Sequence, residues 1–453
     1  MITELSFTNF KSWKRVKKMR FAPITGLFGT NSSGKTGIIQ LLLMLKQTVE
    51  SPDRAQVLIF GDERTTPVNL GSYREIIHAH ELSRDLSWRI RWNAPEQLEV
   101  MDTDDPKRTL FKSGDLGFEV KLAAVADRPQ VIRMTYQLGA NRFTMSKKGK
   151  NGDKYTLDSE TQGFTFVRTQ GRPWDLPAPV KCYGFPDQVK TYFQNTGFLA
   201  DLQWAFEKMF GRVYYLGPLR EYPKRQYMWA GAEPADMGQR GERVVDALLA
   251  SRDRGNFISM GKGNRKRSLE EHVAWWLREL GLVHSFTVEP EAKDSSVYRV
   301  RVRKTQYSTE ALITDVGFGV SQILPALVLC YYVPEGSTIV LEQPEIHLHP
   351  SVQAGLADVF IDAIERRNIQ VLFESHSEHL LRRLQRRIAE DKLKLDKAAF
   401  YFCEMVKTHS MLSPLELDLY GNISNWPKDF FGDQFGEMAE MTKAALGRKA
   451  QKR

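Results

Sequence analysis

Cysteine is scarce in this chain. Cys182, Cys330 and Cys403 are scattered over 453 residues without a Cys-x-x-Cys pair. That excludes a zinc ribbon and a zinc-hook dimeriser, and it suits a reducing compartment. Long hydrophobic runs are missing as well. The longest apolar stretch, around residues 323–333, is too short to span a bilayer. The opening MITELSFTNFKSW enters an alternating strand pattern with no signal-peptide core. The expectation is a cytoplasmic protein with no membrane partner. No heptad persists through residues 50–310 and no repeat period appears, which excludes a long coiled-coil arm. Acidic excess is also lacking: 64 Lys and Arg face 55 Asp and Glu, a formal charge of +9. A basic balance of this size favours a polyanion such as double-stranded DNA without requiring one.

What is present is a phosphate-loop pattern. Residues 29–36 read GTNSSGKT, after the apolar run ITGLF and before GIIQLLLML. Strand, glycine-bounded loop and helix are the context that a nucleoside triphosphate requires. Gly29 and Gly34 let the backbone curl so that N–H groups across the loop, those of Asn31 and Ser33 among them, face an anion, and the helix dipole adds positive charge. Lys35 can reach the terminal phosphates of ATP, and the Thr36 hydroxyl can ligate Mg²⁺.

Four segments follow from pattern changes. Residues 1–80 form an amino-terminal lobe, in which 2–28 read as two strands with a basic turn over 11–20. Residues 81–210 alternate at period two between turn-rich breaks, a compact β-rich insertion that becomes helical around Trp204, Phe206 and Phe210. SKKGKNG at 146–152 reads as a basic hairpin tip, a solvated turn before it is a contact to DNA. Residues 211–390 form a second lobe. It opens with a strand into GPLRE at 217–221, where Arg220 is either ligand-facing or part of an ordinary turn. Residues 391–453 form a carboxy-terminal extension.

The second lobe completes a nucleotide site. The apolar strand STIVL ends in Glu342, a carboxylate placed to join Thr36 at Mg²⁺. Another strand ends in ESHS, setting His376 where it could sense the terminal phosphate. Earlier, VGFGVSQ at 316–322 opens a helix with Gly317, Gly319 and Ser321. Its distance in sequence from the first loop suggests that it serves a nucleotide held by another copy.

The order GTNSSGKT, VGFGVSQ, EQPEIHLHP, ESHSEH resembles the ABC-type ATPase heads of the RecF, SMC and overcoming-lysogenization-defect branch of prokaryotic AAA-family ATPases. NFKSW, YLGPLREYP and NISNWPKDFF are similar to segments of uncharacterised members of that branch. The resemblance implies an α/β fold, a mixed sheet flanked by helices, with ATP and Mg²⁺ as ligands and with heads that join as a homodimer or higher even oligomer around ATP. It makes Gly317, Gly319 and Ser321 the signature segment and His376 the switch histidine. Gln343 stands at the general-base position; an amide can orient water but cannot take its proton. Glu345 is the nearest acidic substitute, and slow hydrolysis is expected.

Nuclease-bearing relatives carry an acidic metal domain after the head. The carboxylates after His376 are scattered, so the resemblance implies a separate effector, a nuclease in phage defence or DNA repair. The alternative is a regulatory ATPase that senses a protein ligand and holds or releases a toxin-like effector without touching DNA. An ABC transporter subunit fits the large insertion and the EQPEIHLHP ending poorly. Arg382, Arg383, Arg386 and Arg387 line one side of a helix, a solvated face by default and a DNA track otherwise.

Overall fold

The structure is a computed structural model, and it describes every residue except 63, 64, 103, 104, 106, 150–153, 172–174, 262, 264, 428, 429, 431–437, 439 and 445–453. Lys150, Asn151 and Gly152 of the basic hairpin tip therefore lie outside the described residues.

A thirteen-stranded mixed sheet organises the chain. Its strands are β1 Ile2–Phe10, β2 Trp13–Arg20, β3 Ile24–Gly29, β4 Leu86–Met101, β5 Thr109–Val125, β6 Arg128–Leu138, β7 Asn141–Lys147, β8 Tyr155–Ser159, β9 Val213–Leu216, β10 Thr338–Glu342, β11 Gln370–Glu374, β12 Ala398–Val406 and β13 His409–Pro414. They run in the order β8-β7-β6-β5-β4-β1-β2-β13-β12-β3-β11-β10-β9. From β12 to β9 all neighbours are parallel, so five strands end at one edge. From β2 to β8 all are antiparallel.

The central strands β3, β10 and β11 are buried at every residue. That is why they read as unbroken apolar runs. Side chains alternate between two cores: Val340 and Leu372 face one, Ile339, Leu341, Val371 and Phe373 the other. The first core holds α1 (Lys35–Glu50) and α2 (Gly197–Gly211). The second holds Val244–Asp253, Leu269–Glu279, α3 (Gly319–Tyr332), α4 (Pro350–Arg367) and α5 (Glu378–Ala389). Helices thus cover both faces of the parallel part.

Three expectations are corrected here. The basic stretch 11–20 is a turn only at residues 11 and 12; from Trp13 to Arg20 it is a strand. Trp13, Val16 and Met19 point inward at a spacing of three, because Lys18 sits at φ 45° and the pairing with β1 shifts register. Second, residues 81–159 do not form a body apart. β4 pairs with β1, so the expected insertion lengthens the same sheet. Third, within the expected carboxy-terminal extension, residues 398–414 join the main sheet: β12 lies beside β3, with Cys403 opposite Gly29.

α1 is apolar almost all round because it lies between sheet and α2. Its last turn exposes carbonyls that the chain must satisfy. Lys181, buried, donates to the carbonyls of Thr48 at 2.7 Å, Val49 at 3.2 Å and Ser51 at 2.7 Å. A cation at the negative end of the dipole suits that place.

Candidate functional site

The parallel strands deliver the motif residues to one edge, where ligands of α/β sheets sit. The phosphate loop leaves β3 at Gly29, with φ 141°, and enters α1 at Gly34, with φ 94°. Neither glycine tolerates a side chain. A Cβ on Gly29 would stand 2.0 Å from the Cys403 carbonyl oxygen, and one on Gly34 would stand 2.4 Å from Ser410 Oγ and 2.7 Å from Ser12 Oγ. Trp13 Nε1 donates to the Gly34 carbonyl at 2.9 Å, and Ser410 donates to Ser12 at 2.7 Å. β2 and β13 therefore brace the loop from behind. Asn31 is exposed on its crest and Ser33 is buried inside.

Lys35 is buried and folded back into the loop. Its Nζ donates to the carbonyls of Thr30 at 2.7 Å and Gly29 at 3.1 Å, with Ser33 Oγ at 3.4 Å. Burial holds its pKa below the ordinary value, against the pull of Glu374, Cys403 and Glu345. These weak carbonyl partners are ones a phosphate can replace.

Thr36 Oγ1 donates to Glu374 Oε2 at 2.9 Å. Glu374 was read from the sequence as a strand ending, with no role assigned; its neighbour across the ladder is Glu342. Glu342 accepts from the Tyr215 hydroxyl at 2.9 Å. Burial, then the charge of Glu374, pushes Glu342 up to about 7, and burial raises Glu374 too. A buried carboxylate pair beside a threonine hydroxyl fits a divalent cation, which would relieve its repulsion. Among the described residues no group of three or more His, Cys, Asp or Glu surrounds an ion site. Mg²⁺ here would thus depend on phosphate and water oxygens for its remaining ligands.

Gln343 is half-buried at φ 44°, and its N–H donates to the Glu374 carbonyl at 2.9 Å. Glu345 is buried. Its Oε1 accepts from Ser375 Oγ at 2.8 Å and from the His376 N–H at 2.7 Å, while Oε2 is buried without a donor among the described residues. Burial raises its pKa. The His376 ring faces the Gly29 carbonyl, and burial followed by Lys35 lowers its pKa, which favours neutral imidazole. Phosphate loop, Glu342, Gln343, Glu345 and His376 thus converge.

The signature candidates lie in other company. Gly317 is exposed, and Gly319 faces Leu282 and Leu348. The Ser321 hydroxyl turns back to the Phe318 carbonyl at 2.8 Å. Phe318, at the start of α3, meets His347 and Tyr222 at ring-centroid distances of 5.7 and 5.6 Å. The arginine face of α5 is paired: Arg383 and Arg387 with Asp358, Arg382 with Glu378, Arg386 with Glu390.

Residues 241–382 match the family described as "AAA domain, putative AbiEii toxin, Type IV TA system". That stretch of the chain is thus similar to an AAA-type ATPase domain. A family described as "Protein of unknown function (DUF3696)" matches residues 393–441, the segment that contributes β12 and β13. No curated protein matches the sequence. Among solved structures, the chain is similar to an SMC head bound to the C-winged helix domain of ScpA, with TM-score 0.45, 11% identity, and coverage of 92% of this chain and 98% of that one. It is similar to the SMC head domain from Thermotoga maritima, with TM-score 0.41, 11% identity, and coverage of 92% and 99%. A third is the Smc head with an extended coiled coil bound to the C-terminal domain of ScpA from Pyrococcus furiosus, with TM-score 0.45, 8% identity, and coverage of 92% and 96%. Among the described residues no helix is long and apolar enough to cross a membrane.

Proposed function

We propose that this head is an ATP-driven switch that binds ATP with Mg²⁺, hydrolyses it slowly, and closes in pairs to govern a separate effector. The observation that carries the reading is the convergence of Lys35, the Thr36–Glu374 pair, Glu342 and His376 at one sheet edge, with an amide, Gln343, at the base position. Bound Mg²⁺ would neutralise phosphate charge. Lys35 exchanges the Thr30 and Gly29 carbonyls for phosphate oxygens. Glu345 Oε1 is occupied by the Ser375 hydroxyl and the His376 N–H, so only Oε2 is left for water.

General-base help is worth about 10²–10⁴ in rate. Single-turnover hydrolysis by wild type, Gln343→Glu and Glu345→Gln tests the assignment. Slow wild-type turnover is expected, with Gln343→Glu faster. Vigorous wild-type turnover indifferent to Glu345→Gln would overturn it.

Effector identity divides two readings. In the first the effector acts on DNA, as a nuclease in defence or repair, and the basic charge supports it. In the second the head senses a protein and restrains a toxin-like effector. The toxin in the matched family's description and the internal pairing of the α5 arginines favour the second. Binding to duplex DNA that weakens steeply with salt would favour the first.

A further inference from the structure

Arg220 is the one conspicuous charge near this site that the motifs leave without a task. It follows β9, whose Leu216 pairs with Leu341 of β10, so its loop emerges beside Glu342. Backbone bonds fix that loop on either side of the arginine: Gly217 N–H to the Gln239 carbonyl at 2.8 Å, and Glu221 N–H to the Arg240 carbonyl at 2.9 Å. The Arg220 side chain is only 4% exposed. Among the described residues, none of Nε, Nη1 or Nη2 has a hydrogen-bond partner. A guanidinium has five N–H donors in a planar fork suited to carboxylate or phosphate. Burying that fork unpaired is costly, and a fold keeps such a group where a ligand supplies the acceptors.

The surrounding charges say which ligand. Arg220 faces Tyr215, Glu342 and Glu345, none of which bonds to it. Lys35, in the phosphate loop, also has Glu345 among the charges it faces. Two cations, one from each lobe, therefore lie within electrostatic reach of the same carboxylate. An anion lying between them must extend from the phosphate loop past β11 towards β10, about 10 Å at ordinary strand spacing. The terminal phosphoryl group of a triphosphate reaches one phosphate further from the loop than a diphosphate held by Lys35 can.

We propose that Arg220 binds the terminal phosphoryl group of the nucleotide and so distinguishes triphosphate from diphosphate in this head. The proposal rests on the phosphate-loop reading above. It also gives the triphosphate a mechanical handle. Arg220 shares its loop with exposed Leu219 and Tyr222, and the Tyr222 ring meets exposed Phe318 at the start of α3. Drawing Arg220 onto a phosphate repositions that apolar strip.

The test is the affinity of ATPγS and of ADP, each with Mg²⁺, for wild type, Arg220→Met, Arg220→Lys and Lys35→Ala. Arg220→Met should weaken ATPγS by about 10²-fold and leave ADP within about twofold; Arg220→Lys, which keeps charge but loses the fork, should fall between. Thermal melting of nucleotide-free Arg220→Met should be no lower than wild type, because an unpaired buried charge has been removed. Loss of both nucleotides in equal measure, or of neither, would overturn the proposal. So would a lowered melting point with an unchanged ATPγS-to-ADP ratio, which would make Arg220 a structural counter-ion of Glu342 and Glu345. If Arg220→Met does not fold, the Arg220→Lys ratio decides alone. Lys35→Ala separates the two levels. If it abolishes both nucleotides while the Arg220 variants treat them alike, only Arg220 is misassigned. If it changes neither, the phosphate-loop reading fails and the Arg220 proposal falls with it.

Discussion

Lys35 spends the nucleotide-free state on two backbone carbonyls and a serine hydroxyl, all in its own loop. Lys35→Ala should therefore leave the fold in place while calorimetry finds no nucleotide binding; equal affinity for variant and wild type would refute the assignment. Glu342 carries a pH signature. Its pKa is about 7 in the folded chain against an ordinary value of 4.5. The folded state thus holds a proton that the unfolded state releases, so this contribution is fully present below pH 4.5 and is lost as pH rises through about 7. At about 1.4 kcal/mol per pKa unit the loss is about 3 kcal/mol. Denaturation of the nucleotide-free protein between pH 5 and pH 8 should show wild type losing more stability than Glu342→Gln. Affinity for the Mg²⁺–nucleotide complex should move oppositely, rising through pH 7 as the carboxylate ionises. A flat profile in both measurements would remove Glu342 from the ion site.

At the scale of elements, the phosphate loop is set by strands remote in sequence. The Cys403 carbonyl of β12 and the Ser410 hydroxyl of β13 fill the space that side chains on Gly29 and Gly34 would need. Gly29→Ala should force β12 away from β3 and abolish nucleotide binding with a visible loss of stability, unlike Lys35→Ala. The end of α1 depends likewise on Lys181. Lys181→Ala leaves three buried or half-buried carbonyls short of a donor and should cost about 1–3 kcal/mol in denaturant unfolding. α3 begins on an exposed Phe318 with Gly319 behind it. If this segment caps a nucleotide on a second head, Gly319→Glu should bind ATP normally yet lose ATP-promoted association in light scattering. Unchanged association would make it only a helix start.

For the whole molecule, one sheet carries both the parallel edge that bears the phosphate loop and a long antiparallel wing from β1 to β8. Two cores, one on each face, bind the lobes into a single frame. A change at the phosphate loop therefore has a continuous hydrogen-bonded path into the wing through β3, β12, β13, β2 and β1.

The phosphate loop, the strand ending in Glu342, and His376 after another strand were legible in the sequence. Each is a short run whose residue types and spacing follow from local chemistry: glycines for a curled loop, lysine and hydroxyl of the types that phosphate and metal call for, apolar runs for buried parallel strands. Tertiary structure alone decided that Glu374 meets Thr36, that Glu345 holds the His376 backbone, and that Arg220 is buried without acceptors among the described residues. These facts depend on which strands are neighbours, and strand order is not written in local pattern. Residues 11–20 looked like a turn because charge outweighed their three inward residues, whose spacing of three matches neither strand nor helix until a register shift is allowed. The strands β12 and β13 looked peripheral because they come late in the chain. Long-range pairing placed them beside β3, where their backbone shapes the loop that the chain's first forty residues announce.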